Sequence, residues 1–113
     1  MKMPNAQLAV VEKAKIVEYL LNRSHPYGSS KAKFFIQFCF HLEAWEAFAV
    51  ALRQHGQQYE VSKTKQTGFG PRYEIDGDLR APDGRFPRVR TVWQLDEGSI
   101  APRLITAYPV QPL

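Results

Sequence analysis

The feature that most constrains this chain is a change in its hydrophobic period at Tyr59. Before that point apolar residues recur every three to four positions; after it they alternate, and the two periods belong to helices and strands respectively. Over Glu12 to Asn22 the stripe is Ala14, Val17 and Leu21, with Ile16 and Leu20 beside it. Ser24-His25-Pro26-Tyr27-Gly28 then breaks the helix by composition. Ser29 or Ser30 is placed to cap a second helix, Lys31 to about Phe40, because a serine oxygen accepts the unpaired backbone donors of a first turn. That segment is apolar nearly all round, which makes it the expected central helix. A third helix, Glu43 to about His55, carries Trp45, Phe48, Ala49 and Leu52 at helical spacing, with Gly56 as its expected stop.

The second half reads as four strands. Tyr59 to Lys65 is followed by a Thr67-Gly68-Phe69-Gly70-Pro71 loop and by Arg72 to Arg80, with Tyr73, Ile75 and Leu79 inward. Pro82-Asp83-Gly84 supplies a turn of the Asp-Gly kind. A last hairpin runs from Arg88 to Leu95 and back from Pro102 to Pro109. In its first strand Val89, Thr91, Trp93 and Leu95 share one face, and Arg88, Arg90, Val92 and Gln94 the other. Leu8 to Val11 is compatible with a short edge strand. Helices first and a meander second specify an α+β domain: three N-terminal helices packed on a four-stranded antiparallel sheet. At 113 residues, 1–113 is expected to be a single domain.

Composition narrows the function classes. A lone Cys39 excludes an internal disulfide and a cysteine-cluster metal site, and its aromatic surroundings predict a buried small hydrophobe. Lys2 is followed by no apolar leader, and no stretch has membrane-spanning length, so the expected compartment is the cytoplasm. The net charge of +4 tilts the chain toward phosphate-rich or acidic partners, with RNA among them. Arg80, Arg85, Arg88 and Arg90 are gathered in one hairpin against Asp83 alone.

The residues that could carry chemistry are few. Lys13 and Lys31 each fall in the first turn of a helix, where a cation opposes the dipole. Either they lay their stems over apolar neighbours toward water, or two helix starts aim an ammonium at one anion. His25, in the loop before the second helix, is the general acid or base candidate, since only histidine titrates near neutrality unperturbed; the competing reading is a loop histidine bonded to backbone. His41 and His55 end helices and read as structural, and no two histidines have metal-ligand spacing. Thr91, Thr106 and Tyr108 are hydroxyls within apolar strands, and Thr106 and Tyr108 share a face. They are either choices of β propensity or part of a set that holds a phosphodiester while a ribose 2′-hydroxyl attacks it. In the second case His25, Lys31, Arg90 and Thr106 are the catalytic candidates, and Lys13, Thr91 and Tyr108 the substrate-binding ones. No metal or other cofactor enters such chemistry.

Two motifs resemble known families. The Lys13–Phe35 stretch, with Tyr-Leu-Leu-Asn followed by His-Pro-x-Gly-x-x-Lys-Ala-x-Phe-Phe, resembles a family of small bacterial proteins and toxin-tip domains of unassigned function. So does the Val-Arg-Thr-Val-Trp and Pro-Arg-Leu-Ile-Thr-Ala-Tyr-Pro ending, the likeness covering residues 5 to 109. A looser likeness, through the Thr-x-Tyr-Pro last strand after helices bearing His and Lys, is to the barnase–EndoU–colicin–RelE nuclease superfamily. That resemblance implies a metal-independent ribonuclease working through Lys13, His25, Lys31, Arg90, Thr106 and Tyr108, with a cognate inhibitor or antitoxin protein as partner. The alternative expectation is a non-catalytic interaction domain, one half of a small bacterial two-protein module.

Overall fold

A computed structural model describes residues 1–111. Helix α1 spans Lys13–Lys15 and continues directly into a π-helical turn, Ile16–Leu20; α2 is Ser29–Ile36 and α3 is Trp45–Gln58. The strands are β1 (Val61–Thr67), β2 (Gly70–Asp78), β3 (Arg88–Gln94) and β4 (Arg103–Pro109). They form one antiparallel sheet in the order β1-β2-β3-β4, so the α+β meander expected from the period change is the observed fold.

Alternation sorts the sheet residues onto two faces. Tyr73, Trp93 and Leu104 lie in one cross-strand row and Ile75, Thr91 and Ala107 in the next; all six are buried. The other face carries Glu74, Val92 and Thr106 in one row, Asp76, Arg90 and Tyr108 in the next. In β4 the spacing departs from strict alternation, because Val92 pairs with Thr106 while Trp93 pairs with Leu104. Ile105 is the extra residue of a bulge, which puts Leu104 and Ala107 on the same side although they are three apart.

The central helix is α3 rather than α2. Its Phe48, Ala49, Ala51, Leu52, His55 and Gly56 are buried, whereas α2 buries only Ala32 and Phe35. Gly56 does not stop α3; it lies inside the helix, where a built Cβ would come within 2.6 Å of the Trp93 ring. The need there is close helix–sheet approach, not a turn. Helix α2 ends at Ile36, before its aromatic run is complete. The chain then turns through Cys39 at φ 72°, and this delivers Phe40 to the core, 4.5 Å between ring centroids from Phe48. Cys39 itself is exposed, contrary to the burial its neighbours suggested.

Four local expectations also change. Ala14 is exposed, and the π-turn after α1 and its following residue bury Ile16, Leu20 and Leu21, because Leu21 N–H bonds to Ile16 O five residues back and the wider turn rotates the stripe. The α2 N-cap is Gly28, with no serine side chain capping it. The Leu8–Val11 segment makes a single parallel bridge, Val10 to Arg103, rather than a strand. The loop between β1 and β2 shrinks to the tight turn that joins Thr67 to its partner Gly70, whose φ is 121°.

Candidate functional site

The polar residues gather where α1 and α2 meet the β4 edge, around a tyrosine. The π-turn of α1 brings Tyr19 against β4, and its hydroxyl lies 2.9 Å from Thr106 Oγ1. Lys31 Nζ is 5.3 Å and Lys15 Nζ 5.5 Å from the centre of the Tyr19 ring, within cation–π range. The His25 ring meets Tyr19 edge-on at 4.9 Å. Partial burial opposes ionisation of the Tyr19 phenol. The Thr106 hydrogen bond and the Lys31 ammonium, with Lys15 behind it, outweigh that and hold the phenol below the ordinary tyrosine value.

His25 is held by its own turn. Its Nδ1 accepts the backbone N–H groups of Tyr27 and Gly28, both at 3.0 Å. Nδ1 is therefore the unprotonated nitrogen, and Nε2 carries the proton. The ring thereby fixes the turn that leads into α2, whose own first-turn amides no side chain caps. Lys31 Nζ also donates to Tyr27 O at 3.2 Å.

Arg90 stands next to this cluster on the outward sheet face. Its Nε and Nη2 donate to the two Asp76 carboxylate oxygens at 2.7 and 3.0 Å. Nη1 is 3.4 Å from Glu74 Oε1 and 3.5 Å from the Tyr108 hydroxyl. The guanidinium is thus bracketed by two carboxylates and positions Tyr108. Tyr108 in turn lines a cleft of about 330 Å³ with Ser30, Lys31 and Pro109. A second cleft of about 440 Å³ has Lys15, Glu18, Tyr19, His25 and Arg103 in its wall. Tyr19 and its two lysines connect these clefts.

Of the residues singled out from the sequence, His25, Lys31 and Thr106 are brought together at Tyr19, with Arg90 and Tyr108 adjoining. Lys13 is not; its ammonium sits 5.4 Å over the Trp45 ring. Thr91 is not either. It is fully buried on the helix face, bonded to His55 and Trp93. Sequence reasoning missed Tyr19 and Lys15. The signal was present in the four-residue spacing of Lys15 and Tyr19, but a regular helix gave no reason to aim them at the last strand.

Among the described residues, no three His, Cys, Asp or Glu side chains are grouped as a metal site, and no helix is long and apolar enough to cross a membrane.

Comparison with known proteins gives two results. The model of the domain of unknown function DUF6883 matches residues 2–111. The chain belongs to the DUF6883 family. Its fold is similar to a chain of a solved structure described as a contact-dependent growth inhibition toxin–immunity protein complex from Klebsiella pneumoniae 342. The TM-score is 0.70 at 14% identity, covering 95% of this chain and 97% of that one. At that identity the likeness is one of fold. No curated protein matches the sequence.

Proposed function

We propose that this protein is a toxin-type endoribonuclease that cleaves RNA without a metal, by attack of a ribose 2′-hydroxyl on the adjoining phosphodiester. The observation that carries this reading is the Tyr19 cluster: one phenol, two ammonium groups, a hydroxyl and an imidazole N–H around a solvent-open edge. Lys31 and Lys15 supply positive charge for the phosphorane from the protein itself. Ionised Tyr19 takes the 2′-hydroxyl proton, and the Lys31 ammonium returns a proton to the departing 5′-oxygen. The products are a 2′,3′-cyclic phosphate and a free 5′-hydroxyl. Thr106 holds the phenol in place, and His25 donates Nε2–H to a phosphoryl oxygen. Arg90 acts through Tyr108, because Asp76 and Glu74 already occupy its donors. The fold shared with a chain of a toxin–immunity complex supports a place in a toxin–immunity pair, with a cognate protein as partner.

A second reading, an immunity or interaction domain, draws on a separate observation. Arg90 and His25 Nδ1 are satisfied within the protein itself, as structural polar groups are. One experiment separates the two. Purified protein, shown to be folded and free of a co-purifying inhibitor, is incubated with total bacterial RNA in EDTA beside Tyr19→Phe and His25→Ala. The nuclease reading expects cleavage by the parent chain that collapses in Tyr19→Phe and weakens in His25→Ala. Equal cleavage by all three points to a contaminant. Intact RNA leaves the interaction domain.

A further inference from the structure

Beside the cluster stands an aromatic ring with no structural employment. Tyr27 is 78% exposed, yet its backbone is among the most firmly tied in the loop. Its N–H is held by His25 Nδ1 and its carbonyl by Lys31 Nζ. Its ring centre is 6.1 Å from that of His25. Tyr108 lines one cleft with Lys31, its hydroxyl held toward Arg90. Lys31 is thus bonded to the Tyr27 backbone and shares a cleft with Tyr108, one ring 78% exposed and the other half-buried.

From this we infer that the site takes single-stranded RNA, with the base on one side of the scissile phosphate stacked on Tyr27 and the base on the other side against Tyr108. The inference rests on the ribonuclease reading and adds the substrate class to it. Bases stack on exposed aromatic rings only when unpaired and splayed from their neighbours, whereas a duplex keeps them inside and shows phosphates and 2′-hydroxyls alone. An ammonium bonded to the Tyr27 backbone and lining the Tyr108 cleft supplies a charge for a backbone phosphate whose two bases reach those rings. Because the Tyr27 backbone is fixed before binding, little order has to be created when the base arrives.

The test uses a short unstructured oligoribonucleotide, alone and annealed to its complement, in EDTA, with the parent chain, Tyr27→Ala and Tyr27→Trp. The expected result is cleavage of the single strand at least about tenfold faster than the duplex, and a roughly tenfold rise in KM for Tyr27→Ala at nearly unchanged kcat, as loss of one stacked base requires. Tyr27→Trp keeps a stacking surface and restores the parent KM. Equal cleavage of both forms overturns the inference while leaving the ribonuclease reading standing. A single-strand preference with an unaltered KM in Tyr27→Ala removes Tyr27 from the site. Cleavage of neither form by the folded parent chain removes the ribonuclease reading and this inference together.

Discussion

His55 Nδ1 lies 2.9 Å from Thr91 Oγ1, and the same threonine oxygen accepts the Trp93 indole N–H at 2.8 Å. On the other side of the ring, Nε2 faces the carbonyl oxygens of Gly77 and Val89, each at 3.1 Å. Two carbonyls can only accept, so Nε2 carries the proton and Nδ1 accepts a hydrogen bond from the Thr91 hydroxyl. The result is one chain of donors, from Trp93 through Thr91 to His55 and on to the sheet backbone, linking α3 to β2 and β3. Histidine 55 is neutral in it. Burial outweighs the pull of the carbonyls, Asp76 and Asp78, and holds its pKa below the ordinary 6.5.

A pH dependence of stability follows from that neutrality. The unfolded chain takes up a proton at about 6.5 that the folded chain refuses, so this contribution is complete above 6.5 and declines as pH falls below it. The slope approaches roughly 1.4 kcal/mol per pH unit for one proton. Urea unfolding between pH 7.5 and 5 should show the decline in the parent chain. In His55→Gln the starting stability is lower and that part of the slope is gone.

Thr91→Val keeps the shape and removes the hydroxyl, leaving the Trp93 N–H and His55 Nδ1 unpartnered in a dry interior. The expected loss is roughly 2–4 kcal/mol, the cost of orphaning two buried polar groups. If denaturant midpoints of Thr91→Val and the parent coincide, the network holds nothing.

Gly56→Ala sets two effects against each other. Alanine favours a helix interior by about 1 kcal/mol over glycine, but its Cβ would stand 2.6 Å from Trp93 Cζ2 and 2.7 Å from Cε2. Overpacking of that kind costs about 1–3 kcal/mol, so a net loss is expected. Its cost should shrink in a Trp93→Phe background, which a double-mutant cycle reads out directly.

For the proposed chemistry, Tyr19→Phe should lower kcat/KM by about 10²–10⁴, the range for a lost acid–base group. Activity in the parent chain should rise with pH along a limb whose midpoint lies below the ordinary 10.0 of tyrosine. Lys31→Met removes one of the charges that depress it and moves the limb upward. An unmoved limb would assign it to another group.

Arg90 is a partly buried clamp, and its hydrogen bonds and charge hold the Asp76 carboxyl below its ordinary range. A depressed carboxylate contributes above its unfolded value of 3.8 and loses that contribution as pH falls through the folded one. Arg90→Gln should therefore cost about 1 kcal/mol near neutrality, at the upper end for an accessible pair because the contact is bidentate. The difference from the parent chain should vanish in strong acid. Arg90→Lys, which cannot reproduce the fork, should recover only part of it.

How far the sequence led can be seen element by element. The period change at Tyr59 was enough for the α+β class and the strand order, because alternation and helical recurrence each express one buried face. Tyr73, Ile75, Val89 and Trp93 are inward as alternation requires. Thr106 and Tyr108 share the outward face with Arg90, also as it requires. His25, Lys31 and Thr106 were visible as polar types in conspicuous places.

What alternation could not carry was any decision made by contact between distant segments. Thr91 read either as a choice of β propensity or as a substrate-binding hydroxyl, and only the contacts with His55 and Trp93 show it as the centre of a buried network. Gly56 looked like a helix stop, and only the Trp93 ring explains why a side chain is missing there. The Tyr19 centre depends on a π-turn, one residue wider than the helix the sequence pattern implies, and on a bulge at Ile105 that sets which way Thr106 points. Both are small changes of winding with no strong residue signature, and together they bring positions 19 and 106 into one hydrogen bond. Local pattern determined which faces had to be buried. Only the packing of α1 and α2 on β4 decided which polar groups would meet, since burial depends on each residue's own character and a meeting depends on two segments at once.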